Sequence, residues 1–254
     1  MRIVSLVPST TASLCEAGFE KQIVGCTSFC VEPPRLAKNA TVIGGTKTPS
    51  IDLIKSLNPS HVFANQEENR KEDVEEIQKF SAVDLSFPRC PQDLPKVMRT
   101  WGAFLSQKKA FDFAIEPLEV QIEMLESKSP EHLGQFIYLI WKNPYMAVGG
   151  DTFISKLLEL LGFKNALGHL NRYPEVSLED ISKLDPKYLF LSTEPFPFRS
   201  RDARGLISSL DSTIIKKVDG RLASWHGIHT LEAIKIFSRY GIGAESKLFR
   251  NFNI

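Results

Sequence analysis

One pattern of hydrophobic and polar positions occurs twice in the chain, once in each half. Residues 50–65 match residues 177–192 at a constant offset of 127 positions in a sequence of 254 residues. In each copy a serine N-cap and an acidic residue begin a short helix with an apolar stripe, and a proline ends it. An apolar run typical of a strand follows. The pattern predicts two helix-turn-strand units, and therefore two similar α/β lobes that face each other across a cleft.

A third segment with a clear pattern lies between the two copies. Residues 110–127 carry apolar side chains at helical spacing and contain no glycine. Pro117 should bend this helix or mark a junction, but the segment still predicts a rigid connection and not a flexible linker. We expect an α/β protein with two three-layer lobes joined by one long helix. The predicted domains are residues 1–108 for the N-terminal lobe, 109–130 for the connecting helix and 131–254 for the C-terminal lobe.

Charge and composition exclude several classes of partner. The 31 Lys and Arg residues nearly balance the 30 Asp and Glu residues, so no strong field would gather nucleic acid or an anionic membrane. The apolar run Ile3–Val7 is too short for the core of a signal peptide, and no run approaches the roughly 20 apolar residues of a membrane span. As the sequence stands, we expect a cytoplasmic monomer without membrane insertion. Removal of a leader would instead place the protein in the periplasm or at the cell surface.

The candidate ligand site is predicted from the carboxyl ends of the strands, because ligands of parallel α/β lobes bind there. The side chains that this rule selects are mostly aromatic, with a few polar groups. Such a set suits a ligand with broad apolar faces and hydrogen-bonding edges, although the tryptophans could instead cap the core. The first lobe contributes Ser9, Phe29, Cys30, Asn65, Gln66, Arg89 and Cys90, and the second contributes Trp141, Tyr173, Glu194, Phe196, Trp225 and His226.

Signatures of catalysis are weak. Gly149-Gly-Asp-Thr152 precedes a predicted helix and could bind an anion, but without a Walker motif or GxGxxG a tight turn is the default. His226 and His229 could approach one metal ion, yet they lack a nearby third ligand. Cys30 and Cys90 could also meet, but a chance pair of buried thiols is favoured over a redox or metal pair. We expect no catalytic residue and no intrinsic cofactor.

Two acidic residues occupy equivalent positions in the repeat. Asp52 and Glu179 each follow the serine N-cap of a predicted helix. Favourable pairing with the helix dipole, worth about 0.3–1 kcal/mol each, is a sufficient local reason for them. Their symmetric placement also suits two exposed acids, one per lobe, that meet basic sockets on a partner with two-fold symmetry.

The order and spacing of several motifs resemble the class III substrate-binding proteins, which serve ATP-driven importers of cobalamin, haem and ferric siderophores. The cobalamin-binding branch is the most similar. The resemblance implies two Rossmann-like lobes joined by one long helix, a shallow cleft, and one acid per lobe that docks on arginines of the permease dimer, at Asp52 and Glu179. The motifs are Arg2–Ser9, Phe29–Pro34, Gly44-Gly-Thr, the two repeat units, and Gly149–Ile154 with Leu161-Gly-Phe163.

The resemblance implies a binding protein, not an enzyme, that holds a corrinoid or iron chelate for an ABC importer. Residues 219–229 look like the family's cleft loop, but His226 and His229 stand where Tyr and Arg are expected. His226 is therefore the candidate axial ligand of a bound metal chelate. Within this family, a subset of proteins without signal peptides resembles the chain most closely, and this resemblance includes residues Ala64–Asn69. The alternative is a cytoplasmic cofactor-handling protein or a chelatase-like enzyme, in which Glu194 would join a histidine at the metal.

Overall fold

The computed structural model describes residues 1–127, 132–210 and 212–242, and these residues divide into two units that each contain one β-sheet. Two short exchanges of chain make the boundary more complex than the predicted domains. Arg89–Gln92 packs with the second unit, and His226–His229 packs with the first. Unit 1 comprises Met1–Pro88, Asp93–Glu116 and His226–His229, and unit 2 comprises the remaining described residues.

Unit 1 contains a five-stranded sheet in which every pair of neighbours is parallel. Its strands are β1 (Ile3–Ser5), β2 (Ile23–Cys26), β3 (Thr41–Val42), β4 (His61–Asn65) and β5 (Ala82–Ser86). Its helices are α1 (Pro8–Leu14), α2 (Ile51–Ser56), α3 (Lys71–Gln78), α4 (Leu94–Phe104) and the start of α5 (Asp112–Ser127). The strand order is β3-β2-β1-β4-β5, so the wholly buried β1 lies at the centre.

Unit 2 contains a mixed sheet of six strands. Its strands are β6 (Gly134–Trp141), β7 (Tyr145–Ala147), β8 (Phe163–Asn165), β9 (Glu175–Val176), β10 (Tyr188–Ser192) and β11 (Ile214–Val218). Its helices, after the end of α5, are α6 (Phe153–Leu160), α7 (Leu178–Leu184), α8 (Ser200–Ile207), α9 (Gly220–Ser224) and α10 (Ile228–Tyr240). The strand order is β11-β10-β6-β7-β9, and β8 also pairs with β6. Strand β7 is antiparallel to both of its neighbours.

The predicted repeat is confirmed as two helix-turn-strand units, α2 with β4 and α7 with β10. The Ser50 hydroxyl accepts a hydrogen bond from the Leu53 amide, and the Ser177 hydroxyl accepts one from the Asp180 amide. Each helix is followed by a residue with positive φ directly before the proline, Asn58 at 47° and Asp185 at 41°. Asn and Asp tolerate this left-handed conformation better than other residues with a Cβ, which explains why both copies use them there.

The predicted connecting helix is present as α5, which runs from Asp112 to Ser127, while residues 128–131 lie outside the described part. Its apolar stripe is buried, as the helical spacing indicates; the buried side chains are Ala114, Ile115, Leu118 and Ile122. The division between the units falls inside this helix, between Glu116 and Pro117. Among the described residues, no helix is both long and apolar enough to cross a membrane.

Candidate functional site

The segment His226–His229 is fixed to one face of the N-terminal part of unit 1. Ser9 and Ser13 lie on α1, and Glu16 lies in the π-helical turn that follows it. The Ser9 hydroxyl lies 3.3 Å from His226 Nδ1, and the Ser13 hydroxyl accepts a hydrogen bond of 3.2 Å from the Ile228 amide. Glu16 Oε1 lies 3.9 Å from His229 Nε2. Two predicted site residues that are 217 positions apart, Ser9 and His226, therefore meet in one unit.

Gly227 makes this close approach possible. Its φ is +90°, and a Cβ placed there would lie 2.6 Å from the Ser13 hydroxyl and 3.3 Å from the ring of Trp101. Only a glycine adopts this backbone conformation at low cost while the segment lies so near the helix. The glycine between the two histidines is thus part of what holds His226 against Ser9.

Burial makes His226 a neutral imidazole. Only 6% of the residue is exposed, and burial, with a smaller effect from nearby His229, lowers its pKa from 6.5 to about 4. The neutral form is also the form that ligates metals. In the unfolded chain the same side chain takes a proton as the pH falls through about 6.5, whereas the folded protein resists protonation until about pH 4.

We therefore expect His226 to make the protein less stable on acidification. Relative to a His226→Gln variant, the wild type should lose up to about 3 kcal/mol of unfolding free energy between pH 6.5 and pH 4, because the unfolded state binds the extra proton. Urea unfolding at a series of pH values measures this difference. The exposed His169 offers a matched control, since His169→Gln removes an imidazole without removing a buried one. A pH-independent difference between the wild type and His226→Gln would contradict the assignment of His226 as buried and neutral.

A half-buried group of unit 1, Asp84, titrates with the opposite effect on stability. Asp84 on β5 accepts a hydrogen bond of 3.1 Å from the indole of Trp101, and burial raises its pKa from 3.8 to about 6. Its contribution to unfolding free energy falls as the pH rises through this range, whereas that of His226 falls as the pH decreases. The pH profile of wild-type stability is consequently flatter than either group alone would make it, and the difference between the wild type and His226→Gln isolates the contribution of His226.

Other predicted residues of unit 1 already have intramolecular roles. The Asn65 carboxamide oxygen accepts hydrogen bonds from the amides of Glu67 and Glu68, and the Asn65 amide donates to Asn69 Oδ1 at 2.8 Å. This arrangement closes the turn after β4 and leaves Asn65 only 3% exposed. Gln66, by contrast, is exposed, and so is Phe29, at 58%. Phe29 and Gln66 are therefore the residues of this group that are open to solvent.

Unit 2 places a set of partly exposed aromatic side chains near the ends of its strands. Trp141, at the end of β6, is 41% exposed, and its ring meets that of Phe196 edge-on with centroids 5.7 Å apart. Phe196 in turn packs on the fully buried Phe198 at 4.9 Å, which anchors the pair in the core. Tyr173 is half-buried beneath the guanidinium of Arg172. The structure thus brings the rings of Trp141 and Phe196 into contact.

Trp225 belongs to a polar cluster in the same unit. The carboxylate of Glu194 accepts hydrogen bonds from the Ser224 hydroxyl, at 3.3 Å, and from the Trp225 indole N–H. Arg221 lies 5.9 Å from the centre of the Trp225 ring and 3.6 Å from Asp219. Burial, and then the negative charge of Asp219, raise the pKa of Glu194. Glu194 therefore fixes the orientation of the Trp225 ring and carries a carboxyl group that protonates more readily than an exposed one.

The glycine pair at 149–150 is a tight turn, in agreement with the default expectation. The Gly149 amide donates to the Arg172 carbonyl at 2.7 Å, and the Gly150 amide donates to the Leu170 carbonyl at 2.8 Å. Thr152 caps α6 by accepting from the Ser155 amide. Because the two glycine amides are already bonded to backbone carbonyls, they do not present donors to an anion.

Several sequence-selected residues fall in a different unit from the one expected. The sequence predicts Arg89 and Cys90 in the first lobe, but they belong to unit 2. It predicts His226 in the second lobe, but His226 belongs to unit 1. Sequence reasoning missed Ser13 and Glu16, although small polar residues on one face of a buried helix could have indicated a docking surface. Within the described residues, no group of three or more His, Cys, Asp or Glu side chains is arranged to hold a metal ion.

Comparisons with known proteins agree with this architecture. The sequence model of a family described as periplasmic binding protein matches residues 3–233. A vitamin B12-binding protein of Vibrio campbellii (strain ATCC BAA-1116) is 22% identical over 194 residues, or 75% of this chain and 70% of the relative. YvrC of Bacillus subtilis (strain 168), an uncharacterized ABC transporter substrate-binding lipoprotein, is 22% identical over 250 residues, or 92% of this chain and 77% of the relative.

Solved structures share the fold at low sequence identity. The periplasmic haem-binding protein RhuT from Roseiflexus sp. RS-1, in its apo form, superimposes with a TM-score of 0.77 and is 20% identical in sequence. The superposition covers 93% of this chain and 96% of that chain. At this level of identity the likeness establishes the two-lobed α/β fold.

Proposed function

Because the chain belongs to the periplasmic binding protein family, we propose that it is the substrate-binding protein of an ABC importer. Its cargo in this proposal is a corrinoid or an iron chelate, that is, cobalamin, haem or a ferric siderophore. Relatives with the same fold are named for vitamin B12 and for haem, and another is named as an ABC transporter substrate-binding lipoprotein.

The observation that carries the cargo class is the aromatic set of unit 2. Trp141, Phe196, Tyr173 and Trp225 are all at least partly exposed, although side chains of this kind are normally buried when they serve only the core. Their faces suit the broad apolar surface of a macrocycle. The Glu194 carboxyl and the Arg221 guanidinium lie beside the Trp225 ring, where they suit the hydrogen-bonding edge of such a ligand.

His226 is the proposed axial ligand when the cargo has an open coordination position. Its neutral state supports this role, because only an unprotonated imidazole nitrogen coordinates cobalt or iron. Ser9, 3.3 Å from Nδ1, fixes the ring so that Nε2 is the nitrogen assigned to the metal.

The proposed importer requires the protein to lie on the outer side of the cytoplasmic membrane. Several relatives are named as periplasmic proteins or lipoproteins. Fractionation of cells that express the protein from its own gene separates the two roles. Recovery only from the cytosol would favour the cofactor-handling alternative over transport.

A titration with three cargoes tests the proposed ligand class. Cyanocobalamin, haemin and ferric citrate are each added to the protein, and tryptophan emission and cargo absorbance are recorded. At least one cargo should quench the emission, because Trp141 and Trp225 belong to the proposed contact surface. Unchanged emission and absorbance with all three would show that the ligand class is wrong.

The Trp141→Ala variant should weaken binding of the active cargo by about tenfold, equivalent to about 1.4 kcal/mol, through the loss of one aromatic contact. Trp141 is exposed, so its truncation leaves the core intact. Phe113→Ala is the matched control, since Phe113 is a comparably exposed aromatic residue on α5 in unit 1. An equal loss of affinity in both variants would remove Trp141 from the proposed site.

A further inference from the structure

Two thiols of unit 1, Cys26 and Cys30, lie close together in the chain, and only Cys30 is among the candidate cargo-site residues. Cys26 ends β2, and Cys30 follows it across a short turn in which the Cys30 amide donates to the Thr27 carbonyl at 3.0 Å. Both cysteines are almost completely buried. Their neighbours Phe29 and Val31 are more than half exposed, so the pair lies directly beneath a surface loop.

The sulfur of Cys30 is surrounded by hydrogen-bonding groups. The hydroxyl of Thr27 lies 3.2 Å from it, and the hydroxyl of Thr11 lies 3.1 Å from it. The Cys26 thiol also hydrogen-bonds to this sulfur. The Thr11 hydroxyl donates its one proton to the Val7 carbonyl at 2.8 Å, so the donors available to the Cys30 sulfur are the Cys26 thiol and the Thr27 hydroxyl. A sulfur that accepts hydrogen bonds is stabilised as the thiolate, which is the nucleophilic form of cysteine.

The two sulfurs are consequently different in chemistry. Hydrogen bonding from Cys26, and then the polar contacts with the Thr11 and Thr27 hydroxyls, lower the pKa of Cys30 against the opposing effect of burial. The same hydrogen bond, together with burial, raises the pKa of Cys26, so Cys26 retains its proton and acts as the donor. Cys15, which is also buried in unit 1, has its pKa raised to about 12, first by burial and then by Glu20.

We propose that Cys26 and Cys30 form a redox-active dithiol, in which Cys30 is the thiolate that reacts with a hydroperoxide and Cys26 is the resolving thiol. This site is independent of the proposed transport role. It depends on the contacts of Thr11, Thr27 and Cys26 with the Cys30 sulfur, all within unit 1.

The oxidation takes place in two balanced steps. The Cys30 thiolate attacks one oxygen of hydrogen peroxide, the O–O bond breaks, and hydroxide leaves, so that Cys30 becomes a sulfenic acid and the peroxide is reduced. The Cys26 sulfur then attacks the Cys30 sulfur, the S–S bond forms, and the sulfenic oxygen leaves as hydroxide, which takes the proton from the Cys26 thiol. Two thiols and one peroxide thus give one disulfide and two waters.

Peptide mapping of the peroxide-treated wild type tests the proposal without any substitution. Trypsin releases Cys26 and Cys30 together in residues 22–35, Cys15 in residues 3–21, and Cys90 in residues 90–96. After brief treatment with hydrogen peroxide and alkylation under denaturing conditions, the 22–35 peptide should be two hydrogen atoms lighter and unalkylated. Reduction before alkylation should restore two alkyl groups. Full alkylation of this peptide, at a peroxide dose that oxidises the half-exposed Cys90, would overturn the proposal.

Three variants separate the roles of the partners. Cys26→Ser should stop at the sulfenic acid of Cys30, which a dimedone adduct on the 22–35 peptide reports, while Cys15→Ser should still form the disulfide. Thr27→Val, which removes one donor at nearly constant volume, should slow oxidation at pH 7 by about fivefold, the effect of one hydrogen bond of about 1 kcal/mol on the thiolate. A dimedone adduct on Cys15 and none on Cys30 would show that Cys15 is the thiol that reacts with peroxide. That result would overturn the proposal.

Discussion

The double substitution of Asp52 and Glu179 by lysine is expected to abolish docking on the importer and to leave cargo affinity unchanged. With the importer reconstituted in liposomes, the variant should no longer stimulate ATP hydrolysis or deliver cargo. The physical reason is the proposed contact of each acid with a basic residue on one half of a symmetric permease dimer. Reversal of both charges replaces two attractions by two repulsions, which disfavours both encounter and orientation.

The structure supports the premise that both acids are available to a partner. Asp52 and Glu179 are exposed, and each occupies the first turn of a capped helix, α2 or α7. Glu179 makes an ion pair with Lys183 at 2.7 Å, but pairs of this kind on a helix surface contribute only about 0.3–0.5 kcal/mol and are easily exchanged. Loss of both favourable dipole interactions costs about 1–2 kcal/mol in total, so the variant should remain folded.

A matched control distinguishes docking from a general effect of charge. Glu75 and Glu232 are exposed helical acids, one in each unit, and Glu75 pairs with Lys71 much as Glu179 pairs with Lys183. Lysine at both of these positions makes the same change in net charge and should preserve stimulation. If the control also loses stimulation, the effect is one of overall charge. If the Asp52 and Glu179 variant folds but loses cargo binding, the two acids belong to the cargo site.

Gly150→Ala is expected to destabilise unit 2 by about 3 kcal/mol or more. A Cβ at this position would lie 2.1 Å from the carbonyl oxygen of Gly168 and 2.8 Å from its carbon. Both atoms belong to the backbone and cannot rotate away as a side chain would. The Gly150 amide is also bonded to the Leu170 carbonyl at 2.8 Å, so a shift of the loop breaks that hydrogen bond. Overpacking of this kind costs about 1–3 kcal/mol in cores, and more where the neighbour is rigid.

Thermal unfolding measures this effect, and Gly205→Ala is its control. Gly205 lies within α8, and nothing lies within 4 Å of the Cβ that would be added. Alanine there should raise stability by about 0.5–1 kcal/mol, because glycine is the poorer helix former. Gly150→Ala should lower the melting temperature by about 10 °C for a protein of this size. A melting temperature for Gly150→Ala within a degree of the wild type would contradict the backbone contact seen here.

The repeat illustrates what local chemistry can specify. Ser50 and Ser177 cap their helices through hydrogen bonds only three residues away, and Pro59 and Pro186 limit the conformations of the residues before them. These interactions depend on neighbours in the sequence, so the pattern predicts them without any knowledge of the sheet. The apolar stripe of α5 is predicted for the same reason, since helical spacing alone decides which of its side chains share a face.

The site illustrates where that reasoning ends. The carboxyl ends of the strands indicate Ser9 and His226 separately, but only the folded chain shows that they lie 3.3 Å apart and in the same unit. The pKa of His226 near 4 depends on burial by residues more than 200 positions away, which no local pattern contains. The bond between Glu194 and the Trp225 indole likewise joins two separate loops.

The sequence by itself thus determined the elements and the twofold plan of this protein, because capping, proline geometry and amphipathic spacing act over a few residues. It also determined which residue types stand at the strand ends. Only the tertiary structure decided which of them meet, which are open to solvent and which change their proton affinity. Contacts such as Thr27 with the Cys30 sulfur, or Ser13 with the Ile228 amide, acquire their chemistry from desolvation and from partners brought close by folding.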